Sequence, residues 1–128
     1  MKSLVYTLFF GLLAHAAFSQ VDGQVAAALK VGNSKEIAKL FSNNVELTIL
    51  DKEGVYSKTQ AELIIKDFFN SHQVENYTVI HNGGNDAPSK YVIGELKTDK
   101  QTFRVFYLLK TDGKQQIISQ LRIETQEE

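Results

Sequence analysis

The sequence predicts an α+β domain in which two to three N-terminal helices pack on a curved, mostly antiparallel sheet of four to six strands. The first observation behind this is an apolar stripe from Ala61 to Phe69, whose members recur at helical spacing. The second is a change to period two from Asn76 onward, where four runs alternate between apolar and polar side chains. Because helical patterns precede the strand patterns, helices and strands should form separate layers.

The first 19 residues have the pattern of a secretory signal peptide. Lys2 gives a positive start, Leu4 to Leu13 is almost wholly apolar, and small residues stand at Ala17 and Ser19. The apolar run is shorter than the roughly 20 residues that a membrane span needs. A buried first helix is the alternative, but the run is not amphipathic. We therefore expect an exported chain, periplasmic or extracellular, that begins near Gln20 and forms one domain from 20 to 128.

Two helices are predicted next. The run from Asp22 to Val31 is rich in alanine, carries Val25 and Leu29 on one side, and ends at Gly32. Asn33 then stands three residues before Glu36, as in a capping box. A second, short helix should follow, with apolar residues at helical spacing: Ile37, Leu40 and Phe41.

A strand and the third helix come after them. The run from Val45 to Leu50 predicts a strand, and Asp51 to Gly54 a tight turn. Ser57 can cap the helix that carries the apolar stripe, while Gln60, three residues on, closes a capping box.

The four later runs predict antiparallel hairpins. If Asp99 and Lys100 form a two-residue turn, Leu96 pairs with Phe103 and Glu95 with Arg104. One face of these strands is then the core, with the following members: Val92, Gly94, Leu96, Phe103, Val105, Tyr107 and Leu109. Asp112-Gly113 marks the last turn, where a two- or three-residue link exchanges the faces of the final strand. We expect three of its residues to point inward: Ile117, Leu121 and Ile123.

Composition excludes several function classes. The chain has no cysteine, so thiol nucleophiles, thiolate metal sites and disulfides are absent. Its formal charge is −1, which the loss of Lys2 takes to −2, and no Lys/Arg cluster occurs. Nucleic acid and anionic membranes are therefore disfavoured as partners. His72 and His81 lack the spacing of metal ligands, and we expect neither a metal nor a cofactor.

The run "YSKTQAELIIKDFF" ahead of four strands, with "QLRIE" near the end, resembles the nuclear-transport-factor-two-like superfamily, the cystatin-like cone. Within it, the chain resembles a family of short secreted bacterial proteins that is a domain of unknown function. The resemblance covers about Val25 to Glu124. It implies a cone whose interior can stay open and a sheet face through which members often dimerise. Because the superfamily contains enzymes, ligand binders and dimerisation modules, it does not select a function.

Three residues are candidates for ligand binding: Tyr56, His81 and Tyr107. Tyr107 falls on the predicted core face, and His81 alternates with Tyr77 so that it could point inward. A filled core and a histidine without catalytic duty are the alternatives. No catalytic residue is assigned, because Glu62 and Asp67 fall off the apolar stripe and Glu95 has a cross-strand partner in Arg104.

The other face of the predicted sheet mixes apolar and charged residues. It includes Ile93, Arg104, Phe106 and Leu108, and so much apolar area on an exposed face marks a contact surface. We therefore predict an exported, noncatalytic domain that forms a homodimer and binds a small apolar ligand or an envelope protein. The alternative is a cofactor-independent enzyme, of the dehydratase or isomerase type, acting inside the cone.

Overall fold

The computed structural model describes residues 16–84 and 88–126. Most of the predicted signal peptide, residues 1–15, lies outside the described residues, so its cleavage stays a prediction. None of the described helices is long and apolar enough to cross a membrane.

Three helices precede or interrupt six strands in the described part of the chain. They are α1 (Ala16–Val31), α2 (Ser34–Ala38), β1 (Phe41–Ile49), β2 (Lys52–Ser57), α3 (Lys58–Ser71), β3 (Val74–Gly83), β4 (Ser89–Thr98), β5 (Thr102–Asp112) and β6 (Gln115–Thr125). The predicted α+β class is confirmed. The order of elements differs from the prediction at β2, because Lys52 to Gly54, expected in a turn, already form a strand. Phe41, expected on the second helix, begins β1.

The six strands form one sheet with the order β2-β1-β6-β5-β4-β3. All neighbouring strands are antiparallel except β1 and β6, which run parallel. The helices contact one face of this sheet, with α1 against β3 and α3 against β1. We call the helix-facing side the inner face and the opposite side the outer face.

Local sequence signals fix two of the three helix starts. Asn33 accepts a hydrogen bond from the Glu36 backbone at 3.1 Å, and Ser57 forms a capping box with Gln60. Helix α1 differs, because its described part already starts at Ala16, six residues before Asp22. Asp22 consequently lies within the helix, where its side chain is directed by helical periodicity.

The β4–β5 hairpin has the predicted register. Leu96 pairs with Phe103 and Glu95 with Arg104, and Thr98 N donates to Gln101 O at 3.0 Å. The inner-face residues expected on β5, such as Tyr107, are buried.

Two β-bulges correct the predicted faces. On β6, Leu109 pairs with Ile118 and Leu108 with Gln120, so one extra residue, Ser119, intervenes. Ile118 is therefore buried on the inner face, and the prediction that Ile117 points inward is wrong. Leu121 and Ile123 are buried as expected, because the bulge restores the alternation after Ser119.

The second bulge lies on β3. Val79 pairs with Gly94, but His81 pairs with Ile93, so the strand gains one residue at Ile80. Because a one-residue insertion turns the following side chains to the other face, His81 lies on the outer face with Ile93. The inward orientation considered for His81 is thus not observed.

Candidate functional site

Four polar side chains come together between α1 and the inner face of the sheet. Asp22 belongs to α1, Lys90 to β4, and Tyr77 and Tyr107 to β3 and β5. The Lys90 ammonium forms an ion pair with Asp22 Oδ2. We call these four residues the polar cluster.

Helix and strand periodicity direct these side chains inward. Asp22 stands three and seven residues before Val25 and Leu29, which are fully buried, so it shares their side of α1. Lys90 stands two residues before the buried Val92 and therefore faces the same way on β4. A carboxylate and an ammonium thus enter a mainly apolar interior, where an opposite charge compensates each of them.

The two phenols lie deeper than the ion pair. Tyr77 is 2 % exposed and Tyr107 is 0 % exposed. The ring of Tyr77 crosses Gly94, where an added Cβ would stand 2.4 Å from the phenol oxygen. A glycine at this position therefore gives the Tyr77 ring the space that it occupies.

The polar cluster is incompletely hydrogen-bonded. Four buried side-chain oxygens of the described residues lack a partner, and three of them belong to the cluster: Asp22 Oδ1, Tyr77 Oη and Tyr107 Oη. Asp22 lies near enough to Tyr107 to raise the pKa of that phenol. Since each unpaired buried polar group costs about 1–3 kcal/mol, the cluster is a place where a further polar group would be stabilised.

Burial raises the pKa of both phenols well above the ordinary value of 10.0. The charge of Asp22 adds to the effect on the pKa of Tyr77. For Tyr107, the neighbouring Tyr77 is the next cause of the raised pKa after burial, and the nearby Asp22 carboxylate follows. At neutral pH both side chains are therefore protonated and can donate hydrogen bonds.

The structure does not bring the three predicted ligand residues together. Tyr107 lies in the polar cluster, but Tyr56 and His81 lie on β2 and β3, the opposite edges of the sheet. His81 is exposed, and its Nε2 hydrogen-bonds with the Tyr91 hydroxyl at 3.1 Å on the outer face. Tyr56 is half-buried beside Gly54.

The residues predicted for a dimer interface do share one surface. Ile93 pairs with Phe106 across β4 and β5, and both are half-buried, as is Leu108, while Arg104 is exposed. We call these four residues the outer patch. The Tyr91 ring stacks on Phe106, with a centroid distance of 6.3 Å, and extends the apolar area.

A separate groove lies between the β1–β2 turn and α3. It is open to solvent and has a volume of about 290 Å³, and its lining includes Ile49, Leu50, Ile64, Phe68, Asp67 and His72. Leu50 has a φ of 54°, a left-handed conformation that non-glycine residues rarely adopt. His72 Nδ1 donates to the Phe68 carbonyl at 2.9 Å, so this imidazole caps the end of α3. The lining of the groove is mainly apolar, which makes it a second candidate for a contact site.

Sequence reasoning missed Asp22, Tyr77 and Lys90 as members of a site. The signal was present for Asp22, because a charged residue occupies the apolar stripe of its helix. It was also present for Lys90, two residues before Val92 on the core face. Within 16–84 and 88–126, no three His, Cys, Asp or Glu side chains converge on a point that could hold a metal ion.

Comparisons with known proteins place the chain near one family. Residues 23–124 match the family model described as a domain of unknown function, DUF4783. A solved DUF4783 family protein from Bacteroides uniformis is 35% identical, with a TM-score of 0.79 over 84% of this chain and 99% of that chain. Another, from Bacteroides ovatus, is 33% identical, with a TM-score of 0.76 over 82% and 94% of the two chains.

A more distant likeness concerns the fold alone. A domain of unknown function with a cystatin-like fold from Nostoc punctiforme is 11% identical, with a TM-score of 0.70 over 89% of this chain and 80% of that chain. No curated protein matches the chain. These findings confirm the resemblance to a cystatin-like cone and to a domain of unknown function.

Proposed function

The chain belongs to the DUF4783 family of domains of unknown function, and we propose that it acts as an exported, noncatalytic domain that forms a homodimer and binds a small ligand. The observation that supports a dimer is the outer patch. A solvated sheet face normally carries polar residues, whereas Ile93, Phe106 and Leu108 place apolar side chains at neighbouring positions there.

Charge on the same face is compatible with self-pairing. Beside the apolar residues, the outer face carries Glu95 and Arg104 as cross-strand partners, and Arg104 in turn pairs with Glu124. Arg122 forms an ion pair with Glu124 at 3.0 Å. Two positive and two negative side chains therefore lie together, and a two-fold related copy can oppose unlike charges.

The absence of cysteine supports the same proposal. A small exported domain without disulfides depends on packing alone, and burial of an outer patch between two copies adds apolar area removed from water.

We expect Phe106→Asp to separate the dimer, because it places a charge at the centre of the outer patch. Loss of a central aromatic contact commonly weakens association by about 30-fold or more. Light scattering of the chain from Gln20 should then give half of the wild-type mass. The matched control is Val55→Asp on β2, another strand position, which is 66% exposed in the monomer.

The control variant should keep the wild-type mass, and circular dichroism should show that both variants are folded. A Phe106→Asp protein with the wild-type mass would show that either the dimer or this interface is wrong. A wild-type protein that already has the mass of one chain would exclude the dimer outright.

Export is tested separately. The full chain, expressed in a bacterium with an envelope, should yield a fractionated protein whose intact mass corresponds to a start near Gln20. The form that begins at Gln20 without the preceding residues should stay in the cytoplasm. A full chain that stays in the cytoplasm at its full mass would contradict export.

The second candidate function is a cofactor-independent enzyme of the dehydratase or isomerase type. The specific observation in its favour is a carboxylate, Asp22, beside the two protonated phenols of Tyr77 and Tyr107. Because Lys90 already forms an ion pair with one oxygen of Asp22, the Asp22 carboxylate is less basic and less available as a general base. NMR can follow the exchange of the α-protons of cyclohexanone for deuterium in the presence of the protein. Exchange that the wild-type protein catalyses and that Asp22→Asn abolishes would favour this candidate.

A further inference from the structure

We propose that the groove between the β1–β2 turn and α3 binds a small organic amine. We call it the α3 groove. The apolar body of the amine would lie in the groove, with its ammonium group beside two carboxylates of the lining. This inference rests on the ligand-binding part of the proposed function, to which it assigns a site and a chemical class, and it is independent of the dimer.

The α3 groove offers an apolar surface to a small ligand. Four of its lining residues are apolar: Ile49, Leu50, Ile64 and Phe68. Ile49 and Phe68 belong to the hydrophobic core, while Leu50 and Ile64 are half-buried and pack against it. The volume of about 290 Å³ lies at the lower end of the roughly 300–1,000 Å³ typical of small-molecule sites. A compact apolar body, such as a single ring, therefore suits the groove.

Leu50 stands at a position of the turn where leucine is an unfavourable choice. Ile49 pairs with Lys52, so Leu50 and Asp51 form a two-residue turn, and Leu50 has a φ of 54°. Glycine or asparagine adopts this left-handed conformation more easily than leucine does. Only leucine, however, gives the groove an aliphatic side chain at this point. Backbone strain of this kind is concentrated at binding and catalytic sites.

Charge in the α3 groove favours a cation. Asp51 comes from the β1–β2 turn and Asp67 from α3, so each of the two elements that form the groove contributes a carboxylate. Lys52 is the ammonium among the described lining residues. In the part of the chain that the structure describes, the ion pairs use other carboxylates, so neither aspartate is already paired with a cation. An ammonium group in the groove would therefore meet two unpaired opposite charges.

His72 adds a further hydrogen-bond acceptor to the lining. Its Nδ1 lies 2.9 Å from the Phe68 carbonyl oxygen, which can only accept, so Nδ1 carries the proton. In the neutral ring Nε2 is then an acceptor. An ammonium group has three N–H donors and no acceptor, which suits a lining in which acceptors outnumber donors.

Other small ligands fit the α3 groove less well. A carboxylate or phosphate would pair with Lys52 but would face both aspartates, a net repulsion. A neutral alcohol of the same shape would contact the same apolar residues without any attraction between charges. The charge on the ligand is therefore the property that an experiment should vary.

The test uses benzylamine as the probe, with benzyl alcohol and benzoate as its neutral and anionic counterparts of similar size. Backbone amide shifts of the chain from Gln20 are followed by NMR during each titration. We expect saturable shifts around Leu50, Asp67 and His72 with benzylamine. Benzyl alcohol should bind about fivefold more weakly, the value of a partly exposed ion pair, and benzoate more weakly still. Added salt should lower the affinity for the amine toward that for the alcohol.

A pair of charge variants locates the ammonium group. Asp67→Asn keeps the shape of the side chain and removes its charge, so the affinity for benzylamine should fall about threefold to fivefold while that for benzyl alcohol is unchanged. Glu62→Gln removes the same charge from the same helix at a position outside the groove. This control should keep the wild-type affinity for both compounds.

A second pair of variants locates the apolar body. Leu50→Asn removes the aliphatic side chain from the groove and relieves the backbone strain, so the affinities for amine and alcohol should both fall about fivefold. Leu63→Asn makes the same chemical change on α3, where Leu63 is 56% exposed and outside the groove, and should leave both affinities unchanged. Circular dichroism and thermal unfolding show that each variant is folded.

The proposal is overturned if benzylamine gives no saturable shifts, or if benzyl alcohol or benzoate binds as tightly as the amine. It is also overturned if Asp67→Asn and Leu50→Asn both keep the wild-type affinity. Saturable shifts confined to another part of the protein would exclude the α3 groove and leave the broader proposal of a ligand-binding domain in place.

The dimer does not affect this outcome. The Phe106→Asp variant should bind benzylamine with the wild-type affinity even as a monomer, because α3 packs on the inner face and the outer patch lies on the opposite face of the sheet. Loss of the dimer with retained binding, or the reverse, therefore shows which of the two proposals fails.

Discussion

Gly94→Ala is expected to destabilise the domain by about 3 kcal/mol, toward the upper end of the effect of overpacking a core. The added Cβ would stand 2.4 Å from the phenol oxygen of Tyr77 and 2.5 and 2.6 Å from two of its ring carbons. Tyr77 is buried, so its ring can give way only by displacing other core side chains. Chemical unfolding of both proteins under the same conditions measures the difference in free energy.

Gly23→Ala is the matched control for this substitution. Gly23 lies in α1, and a Cβ added there meets nothing within 4 Å. Because alanine is a better helix former than glycine, this variant should be more stable than the wild type by about 0.5–1 kcal/mol. The opposite signs of the two changes would show that the environment of Gly94, and not the loss of a glycine, causes the destabilisation.

A double variant identifies the clash. Tyr77→Ala alone removes a buried ring and is itself destabilising, but Gly94→Ala should add little once the ring is gone. If Gly94→Ala is as stable as the wild type, the Tyr77 ring does not cross Gly94, and the description of the polar cluster is wrong at that point.

The sequence was sufficient for features that depend on local patterns. The Asp99-Lys100 turn fixes the register of β4 and β5, so the pairing of Glu95 with Arg104 follows from counting residues. The capping box of Ser57 and Gln60 likewise depends on residues three apart in the chain. The outer patch could be predicted because it lies on strands whose register such a turn determines.

The polar cluster could not be predicted, because its members lie on four elements that only tertiary packing brings together. The sequence pattern predicts a helix that begins near Asp22. The described part of the helix already starts at Ala16, so Asp22 lies within α1 and shares the side of the buried Val25. Its contact with Lys90 joins residues on α1 and β4, and no local pattern specifies that contact.

The β-bulges account for the errors in side-chain direction. Alternation predicts faces only while a strand contains no extra residue. The bulges at Ile80 and Ser119 each insert one, which turns His81 outward and buries Ile118 instead of Ile117. A bulge depends on the packing of both faces of the sheet, and periodicity within one strand does not report it.

The buried phenols predict a steep loss of stability at alkaline pH. Burial, with the charge of Asp22, raises the pKa of Tyr77 and Tyr107 in the folded domain. In the unfolded chain each tyrosine loses its proton near the ordinary pKa of about 10. Above that pH the unfolded chain binds fewer protons than the folded domain, so the free energy of unfolding must fall as pH rises. The contribution of the two phenols is fully present below about pH 10 and is lost above it.

Each phenol that stays protonated in the fold should lower the free energy of unfolding by about 1.4 kcal/mol per pH unit above pH 10. The two together amount to about 5 kcal/mol between about pH 10 and 12, which is comparable with the whole stability of a small domain. Urea unfolding at a series of alkaline pH values measures this slope.

Three variants test which tyrosines cause the slope. Tyr77→Phe and Tyr107→Phe should each remove about half of it. Tyr91→Phe on the outer face should keep the wild-type slope, because both buried phenols remain. A double phenylalanine variant that loses stability as steeply as the wild type would show that other groups cause the alkaline transition.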